Sequence, residues 1–428
     1  MNIPPLNQTL PDATFALTLG LLLLAPLTIA GVALLNTGLG RSRSAAQSLL
    51  GCVTMVAVAA IAFAVVGDSF AGVPGHTITI AGKTWNWVGG APLLLRHFGA
   101  LAPQGQLGVL YELLAVSFVA IIPWGSGADR WRLPAGCAST AVLAGGVFPL
   151  VAHWVWGDGW LAQLGSNFGL GMGFIDVAGA ASVHALGGLS ALAVVWIAGS
   201  RKGKFPKEGL ATAMPGHNTV AILFGCLLSM VGWLAWNAAG AILWLHAPPV
   251  ALVVTALNTV LSASAGLVAA FSVTRMRFGK PDASMCANGW MAGLVTSSAC
   301  AAIVTPFEAI AIGAVAGITA PLLVELLELA LSIDDPSGAI SVHAAGGLWG
   351  LFVAGLFSHG HGQLLAQLVG ISVLLGFVFP LVYFLFAIVN RIIPFRVEAD
   401  GERLGMDLYE LGGGAYPEFV IHRDESYR

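Results

Sequence analysis

The chain has 428 residues, of which 57% are apolar and only 9% are charged, and its net charge is −3. Soluble domains carry about 25% charged residues, so this composition excludes an ordinary soluble protein. The apolar runs reach about 20 residues, whereas a barrel strand needs about ten alternating residues, so the sequence predicts an all-α polytopic membrane protein. No segment is basic enough to indicate nucleic-acid binding.

Eleven apolar segments follow one another, separated by clusters of glycine, proline and charged residues. The first fifteen residues lack the positive region and the cleavage site of a signal peptide. Residues 1–390 are predicted to form a transmembrane domain, and residues 391–428 a polar cytoplasmic tail too short to be a domain of its own. The predicted spans are 15–36, 46–68, 105–126, 134–153, 178–199, 219–245, 249–273, 285–304, 308–331, 340–358 and 364–390.

The distribution of basic residues predicts the orientation of these spans. With the N-terminus outside, all 18 Lys and Arg residues except Lys83 and Arg96 lie in the inner loops or the tail. Cytoplasmic loops of membrane proteins carry an excess of Lys and Arg. We therefore expect the N-terminus outside and the C-terminus in the cytoplasm.

One motif occurs twice. DVAGAASVHALGGLSAL at Asp176–Leu192 returns as DPSGAISVHAAGGLWGL at Asp335–Leu351, and each copy has a histidine eight residues after its aspartate, His184 and His343. In the predicted orientation the copies enter from opposite faces, so five spans plus five form an inverted repeat and the eleventh is added. Such repeats place the functional site near the membrane midplane. Eight helical residues rise about 12 Å, so both histidines are expected near the middle of the core of about 30 Å.

Buried histidines in a membrane allow several interpretations. They can form satisfied hydrogen bonds between helices, relay protons, or line a path for a small molecule that both donates and accepts hydrogen bonds. A metal site is weakly indicated, because no third ligand stands at ligand spacing. No nucleophile–base arrangement or cofactor loop is visible, which argues against an enzyme and predicts no cofactor. Five cysteines lie singly in apolar segments and are expected to be buried, unreactive thiols: Cys52, Cys137, Cys226, Cys286 and Cys300.

The ID-x-AG-x-x-x-VH stretch, its DDP-x-x-x-x-x-VH partner and the eleven-span plan resemble the Amt/Mep/Rh ammonium transporter family. The resemblance covers nearly the whole chain. It implies a homotrimer in the lipid of the cell (inner) membrane, with one pore per subunit that brings ammonium in from outside, and it leaves the acceptance of methylammonium open. Further matching stretches are HWVWGDGWLA (His153–Ala162), GWLAWNA (Gly232–Ala238), ANGWMAGLV (Ala287–Val295) and RLGMDLYELGGGAY (Arg403–Tyr416).

The resemblance also implies roles for individual residues. Trp156 matches the external vestibule tryptophan, which holds the cation by cation–π attraction, and Asp176 matches the acidic residue beneath that site. A cation alone in an apolar lumen is costly, so we expect ammonium to lose its proton at the vestibule and ammonia to cross, with the proton travelling separately. The residues matched to the pore are His184, His343, Trp233 and Asn237.

The chain departs from the family pattern at the pore entrance. The third-span aromatic–Gln–x–x–Phe pattern reads Tyr111, Glu112 and then Ala115, so the capping phenylalanine and the glutamine are both replaced. On the sixth span, Trp236 replaces the second gate phenylalanine and Gly240 replaces the vestibule serine. We expect Trp236 to fill the space that Ala115 leaves. Glu112 either pairs with a polar neighbour or forms a relocated cation site.

Two functions therefore remain open. The histidine pair, Trp156 and Asp176 favour a conducting transporter, whereas the altered entrance favours an ammonium sensor that binds the ion but passes little. Family members are often closed from the cytoplasm by PII signalling proteins, which insert a loop into the inner pore mouth. Leu411 stands where the family has a histidine, and a run of three glycines follows it. Both features weaken the expectation of a PII partner here.

Overall fold

The computed structural model describes residues 10–73, 75–358 and 360–416, so the first residues of the chain and residues 417–428 of the predicted tail lie outside it. Long helices dominate the described residues. They are α1 Asp12–Leu39, α2 Ser42–Ala71, α3 Pro103–Ser126, α4 Leu133–Trp156, α5 Ala180–Ala198, α6 Thr219–Leu245, α7 Ala251–Phe278, α8 Ala283–Cys300, α9 Pro306–Leu329, α10 Ile340–Phe357 and α11 Gln363–Ile392.

Ten of these helices are long and apolar enough to cross a membrane, within the described part of the chain. Helix α8, the eighth predicted span, is not among the ten. It carries Asn288, Thr296, Ser297 and Ser298, and 14 of its 18 residues are buried. It packs against α7, α9 and α10, and a helix enclosed by protein does not need a uniformly apolar surface. The protein is thus a multi-pass helical membrane protein, while the count of eleven spans, the inverted repeat and the orientation stay predictions.

Small residues let the helices approach closely. A Cβ added at Gly31 of α1 would lie 2.5 Å from the carbonyl oxygen of Gly225 on α6, and one at Gly225 would lie 2.5 Å from that of Gly31. Packing of this kind replaces the hydrophobic effect as the force that joins helices in lipid. The outward faces are strongly apolar, as a lipid environment requires; examples of exposed side chains are Leu23, Val53, Ile61, Val220, Phe224, Val253, Phe271 and Phe384.

A β-hairpin fixes the end of helix α4. Strand β1 (Gly75–Ile80) pairs antiparallel with β2 (Lys83–Gly89). The Nε2 atom of His153 lies 3.0 Å from Oδ1 of Asn86 on β2, and the indole of Trp154 donates to the carbonyl oxygen of Trp87 at 2.8 Å. These bonds hold the last turn of α4, which carries Trp156.

Two buried arginines and two buried aspartates join the loops on the other side. Arg201, after α5, contacts Asp334 at 2.8 Å and Asp129, after α3, at 3.1 Å. Arg130 donates to the carbonyl oxygens of Asp334 and Gly199, both at 2.7 Å. The network therefore ties three loops together, and one of them leads directly into the second repeat motif.

The described part of the tail is docked through its carboxylates. It contains helix Ala399–Leu404 and a turn over Asp407–Leu411. Asp407 accepts hydrogen bonds from the backbone N–H groups of Ala46 and Gln47 at the start of α2, and Glu410 accepts from that of Leu133 at the start of α4. Acidic groups at helix N-termini are stabilising, so the tail caps the N-termini of α2 and α4.

The loop network predicts a specific acid sensitivity. Burial alone would raise the pKa of Asp334, but the charges of Arg130 and Arg201 and the hydrogen bonds from Arg201 lower it from 3.8 to about 2. Because the pKa is lower in the folded than in the unfolded protein, the carboxylate stabilises the fold above about pH 4, and this contribution is lost as the pH falls toward 2. Asp334→Asn, which leaves two buried arginines short of a partner, should cost about 3–5 kcal/mol.

Thermal melting of the purified protein in detergent between pH 7 and pH 3 measures this effect. The variant should melt lower than the wild type at pH 7, and the gap should narrow in acid. Asp400→Asn is the matched control, since Asp400 pairs with Arg403 at the surface, where both side chains are about 80% exposed. Equal melting of all three proteins at pH 7 would contradict the prediction.

Candidate functional site

Helices α5 and α10 cross at the Gly-Gly pairs of the repeated motif. A Cβ at Gly188 would overlap the backbone of Ala344, and a Cβ at Gly347 would lie 2.6 Å from the carbonyl oxygen of Ala180. Each glycine therefore faces the turn that carries the other copy's histidine. Those turns, Ala180–Ala185 and Ile340–Ala345, are wide π-helical turns, which are common at functional sites.

The crossing brings the two histidines into contact. The Nδ1 atoms of His184 and His343 lie 3.3 Å apart, with the rings 5.3 Å between centroids. Both side chains are buried. One Nδ1 must carry a proton and the other accept it, so both rings can be neutral and still joined. The Nε2 atom of His184 also lies 3.4 Å from the hydroxyl of Ser298.

Aromatic rings and α8 hold His184 in place. The Trp233 ring stacks on His184 at 5.0 Å, and its indole N–H donates to Ser298 at 2.8 Å. Phe118 presents its edge or face to both histidines, with centroids 5.2 Å from His184 and 6.2 Å from His343. Asn237 accepts from Ser298 and donates to Ser297 and Thr259. Its amide therefore joins three helices beside the histidine pair.

A stack of rings lies over the histidines on the Trp156 side. Tyr111 and Trp236 are stacked with centroids 4.2 Å apart, and the indole of Trp236 donates to the carbonyl oxygen of Ala178 at 2.8 Å. Both side chains are fully buried, as is Ala115, one turn further along α3. Phe118 follows Ala115 by three residues and meets the Trp236 ring at 6.4 Å. These rings pack together between the Trp156 side of the protein and the histidines.

A small pocket lies beyond this stack. Trp156, Asp176 and Trp244 line it, and its volume of about 40 Å³ suits one molecule the size of water or ammonium. Trp156 stacks on Trp244 at 5.2 Å and donates to the backbone carbonyl of Asp176 at 2.7 Å. Oδ2 of Asp176 accepts three hydrogen bonds from the start of α5, but its buried Oδ1 has no hydrogen-bond partner within the described residues.

A second small pocket lies on the opposite side of the histidines. Its volume is about 10 Å³, and Val32, Val342 and His343 line it together with the start of the second motif. The histidine pair therefore lies between the Trp156 pocket and this second pocket. Within the described residues, no group of three His, Cys, Asp or Glu side chains is placed to hold a metal ion. Four of the five cysteines are buried and Cys137 is half-buried.

Two predicted site residues, Glu112 and Gly240, line neither of these two small pockets. Glu112 faces a different cavity, together with Asp68 and His97. Gly240 does not leave a gap where a serine hydroxyl is missing, because a Cβ there would overlap the carbonyl oxygen of Val177 and lie 3.0 Å from the Tyr111 hydroxyl. Gly240 is therefore a contact between α6 and the chain that precedes α5.

The sequence analysis missed three residues of the site: Phe118, Ser298 and Trp244. Phe118 follows Ala115 at the i+3 spacing that places two side chains on one helix face, so it could have been proposed from the altered gate. Trp244 stands two turns after Trp236 on α6, which is a similar signal. Nothing in the sequence marks Ser298, since its role depends on how α8 packs against α6.

Comparison with known proteins decides the family. The sequence model of the Ammonium Transporter Family matches residues 15–416. The chain belongs to the Ammonium Transporter Family.

Relatives and solved structures agree. The chain is 34% identical to ammonium transporter Amt2 of Archaeoglobus fulgidus, over 98% of this chain and 91% of the relative, and 32% identical to a putative ammonium transporter of Synechocystis over 95% and 90%. A solved structure titled Sensor Amt Protein matches with a TM-score of 0.84 at 26% identity, covering 92% of this chain and 97% of the other. Candida albicans Mep2 shares the fold, with a TM-score of 0.78 at 23% identity over 93% and 89%.

As a member of the Ammonium Transporter Family, the chain is a transport protein of ammonium or ammonia and not an enzyme. The resemblance inferred from the doubled motif is thereby confirmed.

The contact at Gly240 generates a test. Gly240→Ser should destabilise the protein by about 1–3 kcal/mol, because the new Cβ must displace the backbone at Val177. Melting temperature in detergent measures the effect. Gly20→Ser is the control, since a Cβ at Gly20, also within a helix, meets nothing within 4 Å. Equal melting of the two variants would show that the position has room for a serine.

Proposed function

We propose that this chain is a conducting ammonium transporter that recruits the ion at the Trp156 pocket and passes ammonia along the two histidines. The observation that carries the proposal is the histidine contact of 3.3 Å, buried between two small pockets. A fixed positive charge would repel a cation, whereas a neutral pair offers donors and acceptors without that cost.

Recruitment is assigned to Trp156 and Asp176. The Trp156 ring is held by its hydrogen bond to the Asp176 backbone and by its stack on Trp244. It can therefore present its face to a cation without losing side-chain freedom on binding. The unpartnered Oδ1 of Asp176 places negative charge beside the same pocket. Together they favour a small cation over a neutral molecule at the entrance.

Deprotonation follows from the change in surroundings. Between the pocket and the histidines the path is lined by Tyr111, Trp236 and Phe118, which offer no countercharge. An isolated cation is costly in such a space, so the ion transfers one proton to the Asp176 carboxylate that lines the pocket, and ammonia is the species that crosses. The contact between His184 and His343, extended by Ser298, provides a separate chain of proton-exchanging atoms.

The assembly and orientation belong to the same proposal. The positive-inside distribution supports an external N-terminus, which places the Trp156 pocket outside and makes the direction inward. A homotrimer in the cell membrane, with lipid around it, rests on the family resemblance. A PII-type regulator would meet the inner face, where the docked tail covers the starts of α2 and α4. Acceptance of methylammonium follows if the outer pocket tolerates one methyl group.

The proposal predicts the effect of removing one imidazole. His184→Ala should reduce the ammonium current at least tenfold, about 1.4 kcal/mol, or abolish selectivity against K⁺, because the path loses its polar relay. The measurement is charge movement after an ammonium jump, with proteoliposomes on a solid-supported membrane. His76→Ala is the control, since His76 is an exposed hairpin residue. An unchanged current and selectivity in a well-folded His184→Ala protein would refute the role.

An ammonium sensor is the second candidate, and the aromatic stack favours it. Tyr111 and Trp236 are in direct contact above the histidines, which closes the path in this structure. One of the similar solved structures is titled a sensor. Charge movement in proteoliposomes prepared at different lipid-to-protein ratios distinguishes the two candidates. A current that decays more slowly when the liposomes contain less protein indicates transport. A brief current whose decay rate does not depend on the ratio indicates binding only.

Trp236→Phe tests whether the stack limits flux. The phenylalanine ring cannot donate the hydrogen bond to Ala178 and fills less of the space above the histidines. The sustained ammonium current should therefore increase. Trp196→Phe serves as control, because Trp196 is half exposed on the outer face of α5. If Trp236→Phe conducts no more than the wild type, the stack is not the barrier.

A further inference from the structure

A larger cavity lies beside the entrance. It has a volume of about 300 Å³, and the ends of α2, α3, α4 and α6 enclose it. Its ionisable lining consists of Asp68, His97, Glu112 and Asp158, and Trp244 forms part of its wall. Neither Trp156 nor Asp176 lines it, so it is distinct from the recruitment pocket.

Asp68 is the central observation. Its side chain is only 2% exposed, yet neither carboxylate oxygen has a hydrogen-bond partner within the described residues. Oδ2 lies 3.4 Å from Nε2 of His97 but forms no hydrogen bond with it, and Oδ1 has no ion-pair or hydrogen-bond partner among the described residues. A buried carboxylate with unmet acceptors costs several kcal/mol unless a ligand or water satisfies it.

The surroundings indicate the sign of that ligand. Three carboxyl groups, those of Asp68, Glu112 and Asp158, face one imidazole. Glu112 is also buried and makes no hydrogen bond through its side chain within the described residues. The indole N–H of Trp244 is buried and unpartnered as well. Acceptors are in excess, so the cavity favours a cation that donates hydrogen bonds.

The spacing argues against a directly coordinated metal. No three carboxylate or imidazole groups converge to ligand distance in the described residues, whereas Ca²⁺ takes six to eight oxygen ligands at 2.3–2.6 Å. A cavity of about 300 Å³ has room for one small cation and several waters, each with a share of about 30 Å³.

We propose that this cavity is a second site for a small monovalent cation of the ammonium type, held by Asp68 and Glu112. Trp244 separates it from the recruitment pocket, because the same ring lines both spaces and stacks on Trp156. A cation held behind Trp244 would fix that ring and hence Trp156. The site explains why Glu112 faces away from the pore line.

Anomalous scattering locates the ligand directly. Crystals of the full chain soaked in rubidium chloride, a cation of ammonium's size, should show a peak between Asp68 and Glu112 that ammonium chloride displaces. No rubidium peak in this cavity at the highest soaking concentration that the crystals tolerate would overturn the proposal. So would a peak that calcium displaces and ammonium does not. This result does not depend on whether the protein conducts.

Calorimetric titration of the detergent-solubilised protein with ammonium chloride gives the matching binding test. The wild type should bind two ammonium ions per chain. Asp68→Asn should weaken one of the two at least tenfold, and Asp176→Asn should weaken the other. The control is Asp12→Asn, an exposed carboxylate at the start of α1. A wild type that binds one ion, lost in Asp176→Asn and kept in Asp68→Asn, would leave the recruitment site standing and refute the second site.

Discussion

The close crossing of α5 and α10 is the constraint on which the rest of the site depends. Side chains larger than hydrogen at Gly188 and Gly347 would push the two backbones apart. The histidines are carried by the turns that these glycines touch, so a wider crossing would separate the imidazoles and open the contact between their Nδ1 atoms. The motif thus needs its glycines and its histidines together, which explains why both recur in the two copies.

The two copies have the same sequence pattern but different surroundings. Asp335 is satisfied on both oxygens, by Ser126, Ser337 and the backbone of Ile340. Asp176 caps the start of α5 with Oδ2 alone and keeps Oδ1 without a partner beside the outer pocket. Both aspartates accept hydrogen bonds from the start of a helix, but only Asp176 keeps one oxygen atom without a partner in the described residues. The two ends of the histidine pair therefore differ in free hydrogen-bond acceptors, although each carries one aspartate.

Sequence reasoning reached the helices, the family and the histidine pair, because long apolar runs and a doubled motif depend on local pattern. The packing around two further positions could not be predicted. The sequence shows Gly240 only as a replacement for the family's vestibule serine, whereas the carbonyl oxygen of Val177 lies against it in the structure. For Glu112 the sequence left open a polar partner or a relocated cation site, and only the fold shows which cavity it lines. Helix α8 is another case, since enclosure by its neighbours permits the polar residues that lower its hydropathy. Each of these depends on which surfaces meet, and that is a tertiary property.

A closed stack does not by itself make the protein a sensor. Trp236 is held by a hydrogen bond to Ala178 as well as by its neighbours. Tyr111 has a buried hydroxyl without a hydrogen-bond partner in the described residues, so its ring is held by stacking and edge contacts with Trp236, Trp156 and Trp244. Such ring pairs contribute about 0.5–1.5 kcal/mol each beyond the area they bury. Tyr111 is therefore held by packing and not by a hydrogen bond. Ring motion at Tyr111 is therefore compatible with the proposed turnover.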